Sequence, residues 1–341
     1  MSLTDFFGIE LPIIQAPMAG SQDSRLAIAV SNAGGLGSLP CAMLSVDKIT
    51  AELTAIRAAS SKPYNVNFFC HTPPAADAAR EAAWRTLLSP YFKELGIDSQ
   101  AESTGASRTP FSAAAAEALE YFKPAVVSFH FGLPAPALVA RLKSWGSKVL
   151  GSATTVEEAL WLESRGADAI VAQGLEAGGH RGIFLSEDLT TQTGTVALLP
   201  QILRAVRIPV IAAGGIADSR GVAAAMALGA AGVQVGTSYL LCPEATTSSV
   251  HRAVLKMPNA AHTALTNLFS GRPARGIVNR LMEELGPLNP AAPAFPLAAG
   301  AIAPLRKKAE SQGRGDFSPL WAGQNVSGCR EVPAAVLTRS L

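Results

Sequence analysis

The sequence predicts an α/β fold: a closed (β/α)8 barrel of the TIM type with an appended, mainly helical subdomain. Three observations predict it. Eight short apolar runs, each bounded by glycine, proline or polar residues, recur up to Gly236. Helical patterns separate the runs, which is the rhythm of βα units and of a parallel sheet. Past Leu241 the rhythm stops and proline- and alanine-rich sequence takes over. The alternative is an open, doubly wound sheet, because buried parallel strands carry the same pattern. At 341 residues, with 48% hydrophobic and 16% charged side chains, the chain is long for one core and normal for an eight-unit barrel.

In chain order, Leu11 to Met18 reads as the first strand, followed by a helix over Ser24 to Ala33. Gly35 to Pro40 is the second, and its helix, Ser45 to Ala59, begins on a serine suited to accept from the helix's free N–H groups. Tyr64 to Phe69 is the third. The stretch Cys70 to Thr109 is too long for a connecting loop; with a helical piece at Ala75 to Leu88 and a polar segment at Ile97 to Thr109, it reads as an excursion over one barrel end. A helix at Phe111 to Phe122 leads to the fourth strand, Ala125 to Phe131. Pro136 to Trp145 (helix), Lys148 to Ala153 (strand), Val156 to Arg165 (helix) and Ala169 to Gln173 (strand) follow. Then come the helix Val196 to Val206, the strand Pro209 to Ala213, a helix Ser219 to Leu228 capped by Asp218, and the last strand Gly232 to Gly236. Residues 1–240, completed by 301–341, are thus expected to form the barrel, and 241–300 a helical lid with helices at Pro243 to Met257 and Ala260 to Ser270. Leu305 to Ser311 is read as one more helix before an irregular tail.

Composition narrows the function classes. A net charge of +2, with no basic face interleaved with aromatics, argues against a nucleic-acid partner. Cys41, Cys70, Cys242 and Cys329 form no CxxC or Cys/His pair, so they read as reduced thiols and no metal site is expected. The N-terminus has no basic n-region, and every apolar run falls short of the roughly 18 residues a membrane helix needs. A soluble, cytoplasmic protein without a membrane partner is expected, as a monomer or homodimer.

In a barrel of this kind the site lies at the carboxyl ends of the strands. There the sequence places Ala16, Pro17 and Met18, Asn67, His130 and Phe131, the loop Gln173 to Gly182, Gly214-Gly215 and Gly236-Thr237. The pair AAGGI and QVGTS ends the last two strands, where such barrels bind phosphate through backbone N–H groups. Gln234 and Val235 belong to the same segment. The loop AQGLEAGGHRG sets four glycines around Glu176 and His180, which suits close approach to a flat or phosphorylated ligand. An imidazole titrates near neutrality, so His180 is a candidate general base or hydrogen-bond donor. Asn67 and Gln173 carry amides suited to a heteroaromatic edge, and each is equally open to a purely structural role.

The motifs PIIQAPMAG, NVNFFCH, SFHFGLP, AQGLEAGGHRG, AAGGI, QVGTSYL, FSGRPARGIVNR and LWAGQ, in this order, resemble the nitronate monooxygenases, formerly called 2-nitropropane dioxygenases, and in particular their class I group. The resemblance runs from Leu11 to Gln324 and implies an FMN-dependent barrel. It implies that Met18, with Ala16 and Pro17, lies against the isoalloxazine ring, and that Asn67 and Gln173 contact the flavin and its ribityl chain. It further implies that Gly178, Gly179, Gly214, Gly215 and Gln234 to Thr237 (Gln234, Val235, Gly236, Thr237) hold the phosphate region, and that His180 is the active-site histidine. The implied reaction is oxidation of an alkyl nitronate, such as propionate 3-nitronate, by O2 to a carbonyl compound and nitrite. The sequence departs from the resemblance near its C-terminal end. Class I members often carry tyrosine and lysine near the substrate; here the region reads FPLAAGAIAPLRKKAE, with Phe295, and Lys307 is a candidate for the basic role beside His130 and Phe131. Two other functions compete: an NAD(P)H-dependent FMN reductase of the enoyl-acyl carrier protein or quinone type, and a phosphate-ligand-binding barrel without redox chemistry.

Overall fold

The computed structural model describes residues 2–98 and 108–341. Residues 99–107 of the polar segment expected at Ile97 to Thr109 lie outside the described residues. A short helix α1 (Leu3–Phe7) precedes the barrel. The barrel strands are β1 (Ile13–Gln15), β2 (Gly37–Pro40), β3 (Tyr64–Phe69), β4 (Val126–His130), β5 (Lys148–Ala153), β6 (Ala169–Gln173), β8 (Val210–Ala213) and β9 (Gly232–Val235). All eight are parallel, in the order β1-β9-β8-β6-β5-β4-β3-β2, and a bridge from Ile14 to Leu36 joins β1 to β2 and closes the ring. The fold is therefore a (β/α)8 barrel, and the open-sheet alternative is excluded by that closure.

Helices α2 (Ser24–Asn32), α3 (Val46–Ala59), α5 (Ala113–Glu120), α6 (Pro136–Ser144), α7 (Val156–Ser164), α8 (Thr195–Ala205) and α9 (Ser219–Ala227) cover the strands. The expected caps form: Ser45 accepts from Lys48 N, and Asp218 from Gly221 N at 2.9 Å. Apolar side chains of these helices, Leu26, Ile56, Leu119, Leu142, Leu162 and Ile202 among them, are buried against the strands. Full burial of each such side chain is worth about 1.5–3 kcal/mol.

Beyond the barrel the structure corrects several expectations. The helix expected at Ala75 to Leu88 is α4 (Ala78–Leu95), which runs on through Pro90. Proline is a local stop signal, but Tyr91, Phe92 and Leu95 beyond it are buried in a second core, and that packing carries the helix past it. The helix expected at Pro243 to Met257 is only α10 (Ser249–Leu255). The helix expected at Ala260 to Ser270 is instead a strand, β10 (Thr263–Thr266), antiparallel to β11 (Ala274–Ile277). β11 pairs in turn with β7 (Gly179–His180), so a three-stranded sheet is threaded through the region expected to be helical. The alanines of this run favour a helix locally, but its threonines suit a strand once a partner edge is present. Helix α11 (Arg280–Leu285) follows, and α12 (Ala299–Ser311) starts earlier than Leu305 and packs with α4 rather than on the barrel. The tail expected to be irregular contains α13 (Ala334–Ser340), whose Leu337 joins the barrel core.

All four cysteines are free. No helix among the described residues is long and apolar enough to cross a membrane. Burial lowers the pKa of His71, His130 and His251 to about 4. A histidine held neutral in the fold takes up a proton on unfolding, so the unfolded chain binds more protons as the pH falls below about 6.5. Stability from these groups is complete above that pH and is lost on acidification. Thermal unfolding followed by circular dichroism is expected to show a Tm lower by roughly 3 °C or more at pH 5 than at pH 7.5; an unchanged Tm would contradict the neutral histidines.

Candidate active site at the carboxyl ends of the strands

The strand ends open into one cavity, part of it facing solvent, walled by residues from the ends of β1, β3, β4, β6, β8 and β9. Ala16, Pro17 and Met18 follow β1 on its wall, Asn67 comes from β3 and His130 from β4. Gln173, Gly178, Gly179 and His180 line it after β6, Gly214 and Gly215 after β8, and Gln234, Gly236 and Thr237 at β9. Three expected site residues lie off the wall. Val235 is buried and its side chain turns into the core beneath, because neighbours along a strand face opposite ways. Phe131, in a left-handed conformation (φ 69°), packs its ring behind the wall against Phe69 and Phe295. Lys307 is exposed on α12, whose Leu305 and Ala309 face inward, so it does not supply the basic group expected of it.

The loop after β6 is held from within. Arg181 is fully buried, and its guanidinium donates to the Gly174 carbonyl (2.6 Å), the Gln173 carbonyl (2.7 Å) and Gln192 Oε1 (3.0 Å). Gln173 spends both ends of its amide on the same loop, Nε2 on the His180 carbonyl (2.9 Å) and Oε1 on Gly182 N–H (2.7 Å). It braces the loop, and on the cavity wall the amide keeps its second N–H and a second oxygen lone pair. Glu176 accepts from Thr195 N and Oγ1 at 2.9 Å, so its carboxylate caps α8, where Gly194 offers no side chain. Arg181→Lys keeps the charge but loses the planar fork that reaches three acceptors. It is expected to destabilise the fold by about 2–4 kcal/mol in urea unfolding; a loss under 1 kcal/mol would show that the fork is dispensable.

His180 sits in β7, opposite Ala274 of β11. Its carbonyl accepts from Gln173 and also from His130 Nε2 at 3.1 Å, which fixes the backbone. Its ring is surrounded by Phe295 (5.3 Å between centroids), Trp321 (5.6 Å), Phe69 and Phe131 (each 6.1 Å). Nε2 lies 2.8 Å from Ser270 Oγ. Ser270 Oγ–H is directed to the Arg272 carbonyl at 3.3 Å, which leaves an oxygen lone pair for His180 Nε2–H. In that tautomer Nδ1 is the basic atom. Burial, followed by the positive charge of Arg108, pushes the imidazole pKa well below its usual range. His180 is therefore neutral at pH 7, a base rather than a cation.

Asn67 donates Nδ2 to Ser128 Oγ (2.9 Å) and O (3.2 Å), so the atom it offers the cavity is its carbonyl oxygen. Opposite the loop, Gly214 (φ 120°) and Gly215 (φ 72°) turn the chain sharply after β8. Among the described residues, Gly215, Ile216 and Gly236 give their N–H groups to no protein acceptor. Thr237 Oγ1 accepts from Gly323 N–H at 2.9 Å and keeps its own proton to donate. These groups form a nest for an anion at the ends of β8 and β9. The C-terminal segment completes it: Gln324 N–H donates to the Glu176 carbonyl (3.0 Å) and Asn325 Nδ2 to the Gly215 carbonyl (3.0 Å). Gly178 has no room for a side chain, since a Cβ there would lie 2.5 Å from Gly323 N.

The sequence reading missed Arg108, Ser270, Trp321, Gly323 and Asn325. Arg108, Trp321, Gly323 and Asn325 line the cavity, and Ser270 touches the catalytic candidate. The GRP and WAG motifs marked two of these stretches, but nothing local said that they meet the β6 loop. Among the described residues, no three His, Cys, Asp or Glu side chains converge as a metal site would require.

Comparison with known proteins agrees with this geometry. The family model described as nitronate monooxygenase matches residues 1–341. A nitronate monooxygenase of Pseudomonas aeruginosa is 46% identical, over 99% of this chain and 97% of that protein, and one of Paraburkholderia phytofirmans is 42% identical, over 100% and 93%. Among solved structures, the nitroalkane oxidase of Streptomyces ansochromogenes superposes with a TM-score of 0.90 at 39% identity, covering 100% of this chain and 96% of that one. FabK of Thermotoga maritima superposes at 0.70 with 26% identity, covering 100% and 94%. With the full length matched and a histidine, a glycine nest and a barrel cavity in one place, the chain belongs to the nitronate monooxygenase family of oxidoreductases.

Proposed function

We propose that the cavity binds FMN and that the protein oxidises alkyl nitronates of the propionate 3-nitronate type with O2, giving a carbonyl compound and nitrite. The observation that carries the proposal is the pairing, across one cavity, of the open N–H nest at Gly215 and Gly236 with a neutral His180 on the opposite loop. The residues present fit FMN. The nest suits a terminal phosphate, Asn67 Oδ1 offers an acceptor to a ring N–H, and Ala16, Pro17 and Met18 give a flat apolar wall after β1. Bound flavin would supply electron exchange between the nitronate and O2.

The chain's own residues do the rest. His180, held by Ser270, presents Nδ1 as a base for the α-proton of a neutral nitroalkane; a preformed nitronate needs no such step. Phe69, Phe295 and Trp321 exclude water around the imidazole, which strengthens any charge interaction there. The test is a product balance with propionate 3-nitronate: nitrite release and O2 consumption without NAD(P)H.

A second reading is a flavin reductase driven by NAD(P)H on the same barrel scaffold, a scaffold also found in FabK of Thermotoga maritima. Rapid anaerobic bleaching of the flavin by NADH would favour it and sink the oxygenase as the main activity. A protein purified colourless that takes up no FMN would sink both readings and leave a phosphate-ligand-binding barrel.

A further inference from the structure

We propose that Arg108 is the specificity-determining residue of this site: its guanidinium receives the non-reacting carboxylate end of the substrate. The assignment rests on the function proposed above and adds to it the residue that reads the carboxylate. Among the described residues on the cavity wall, Arg108 is the one lysine or arginine. His130 and His180 on the same wall are neutral, so the fixed positive charge of the cavity is this guanidinium. The carboxylate on the wall, Glu176, is committed to Thr195. Among the described residues no Asp or Glu lies within ion-pair distance of Arg108, although burial is the main influence on its pKa. Among the described residues this partly buried charge has no counter-ion; an unpaired charge of that kind is costly, and an anionic ligand removes the cost.

The position is built rather than incidental. The Arg108 guanidinium carbon lies 5.7 Å from the Phe295 ring centroid. Phe295 is also 5.3 Å from the His180 ring and 4.8 Å from that of His71. One aromatic ring thus separates the base from the cation. The Arg108 charge acts on the imidazole, so one small bifunctional anion can face both groups. Lys307, which the sequence suggested for this charge, faces away on α12.

The test compares FMN-loaded wild type, Arg108→Gln and Arg108→Lys on two nitronates, propionate 3-nitronate and ethyl nitronate. Arg108→Gln is expected to raise KM at least tenfold for the carboxylated substrate and less than threefold for ethyl nitronate, with flavin content retained. Arg108→Lys is expected to recover part of the loss. A second readout needs no turnover: succinate, a short dicarboxylate, is expected to raise the Tm of the wild type and not that of Arg108→Gln. Equal KM changes on both substrates, or none, together with an unaltered succinate shift, would overturn the assignment. If the wild type releases nitrite from neither nitronate, the proposed function fails, and the succinate measurement alone then decides the role of Arg108.

Discussion

His180→Asn is expected to retain bound flavin and to lower kcat/KM for neutral nitroethane at least 100-fold, while the loss on preformed ethyl nitronate stays within about tenfold; a positioned general base contributes a factor of about 10²–10⁴. Asparagine keeps a polar group near Ser270 but has no basic atom at pH 7. The neutral substrate still carries its α-proton and needs that atom; the nitronate does not. Because burial and the Arg108 charge hold the imidazole well below its usual pKa, the base is already unprotonated throughout the neutral range. Nitroethane turnover in the wild type should therefore not fall between pH 7.5 and 6.5, where an ordinary histidine base would become protonated. Steady-state rates across that range check the protonation state. Equal losses on the two substrates would show that His180 does not abstract a proton.

Gly178→Ala should weaken flavin binding at least tenfold, or about 1.4 kcal/mol, without loss of barrel secondary structure. A Cβ at this position would lie 2.5 Å from Gly323 N and 2.6 Å from the Ala322 carbonyl carbon. Both atoms are backbone, so no side-chain rotation relieves the clash, and the C-terminal segment has to move off the β6 loop. That segment holds the Thr237 hydroxyl and the Gly215 carbonyl in place. Gly179→Ala is the control: a Cβ there meets nothing within 4 Å, and the left-handed backbone (φ 72°) alone costs about 1–2 kcal/mol. Fluorescence titration with FMN measures both variants. Equal flavin affinities for Gly178→Ala and wild type would mean that the tail is not part of the cofactor site.

By itself the sequence determined what is local in range. The eight strands follow from apolar runs whose buried character shows in five or six consecutive residues, as in YNVNFF and AIVAQ. The caps Ser45 and Asp218 follow from side chains that reach their own next turn. His180 and the glycines after β8 and β9 stand at strand ends, and a barrel gathers strand ends at one mouth. What only the tertiary structure decided depends on partners far along the chain. β10 is a strand because β11 lies beside it, and β11 is held in place by β7, some ninety residues earlier. Gln173 became a brace once both its amide ends found the folded loop, and Lys307 turned outward once α12 packed on α4. Arg108, Ser270 and Gly323 come from three segments with no pattern in common, and they meet at the β6 loop only through packing. Periodicity registers which face of an element is apolar; it carries no information about which distant segment will cover that face, and the choice of segment set the charge and the walls of this site.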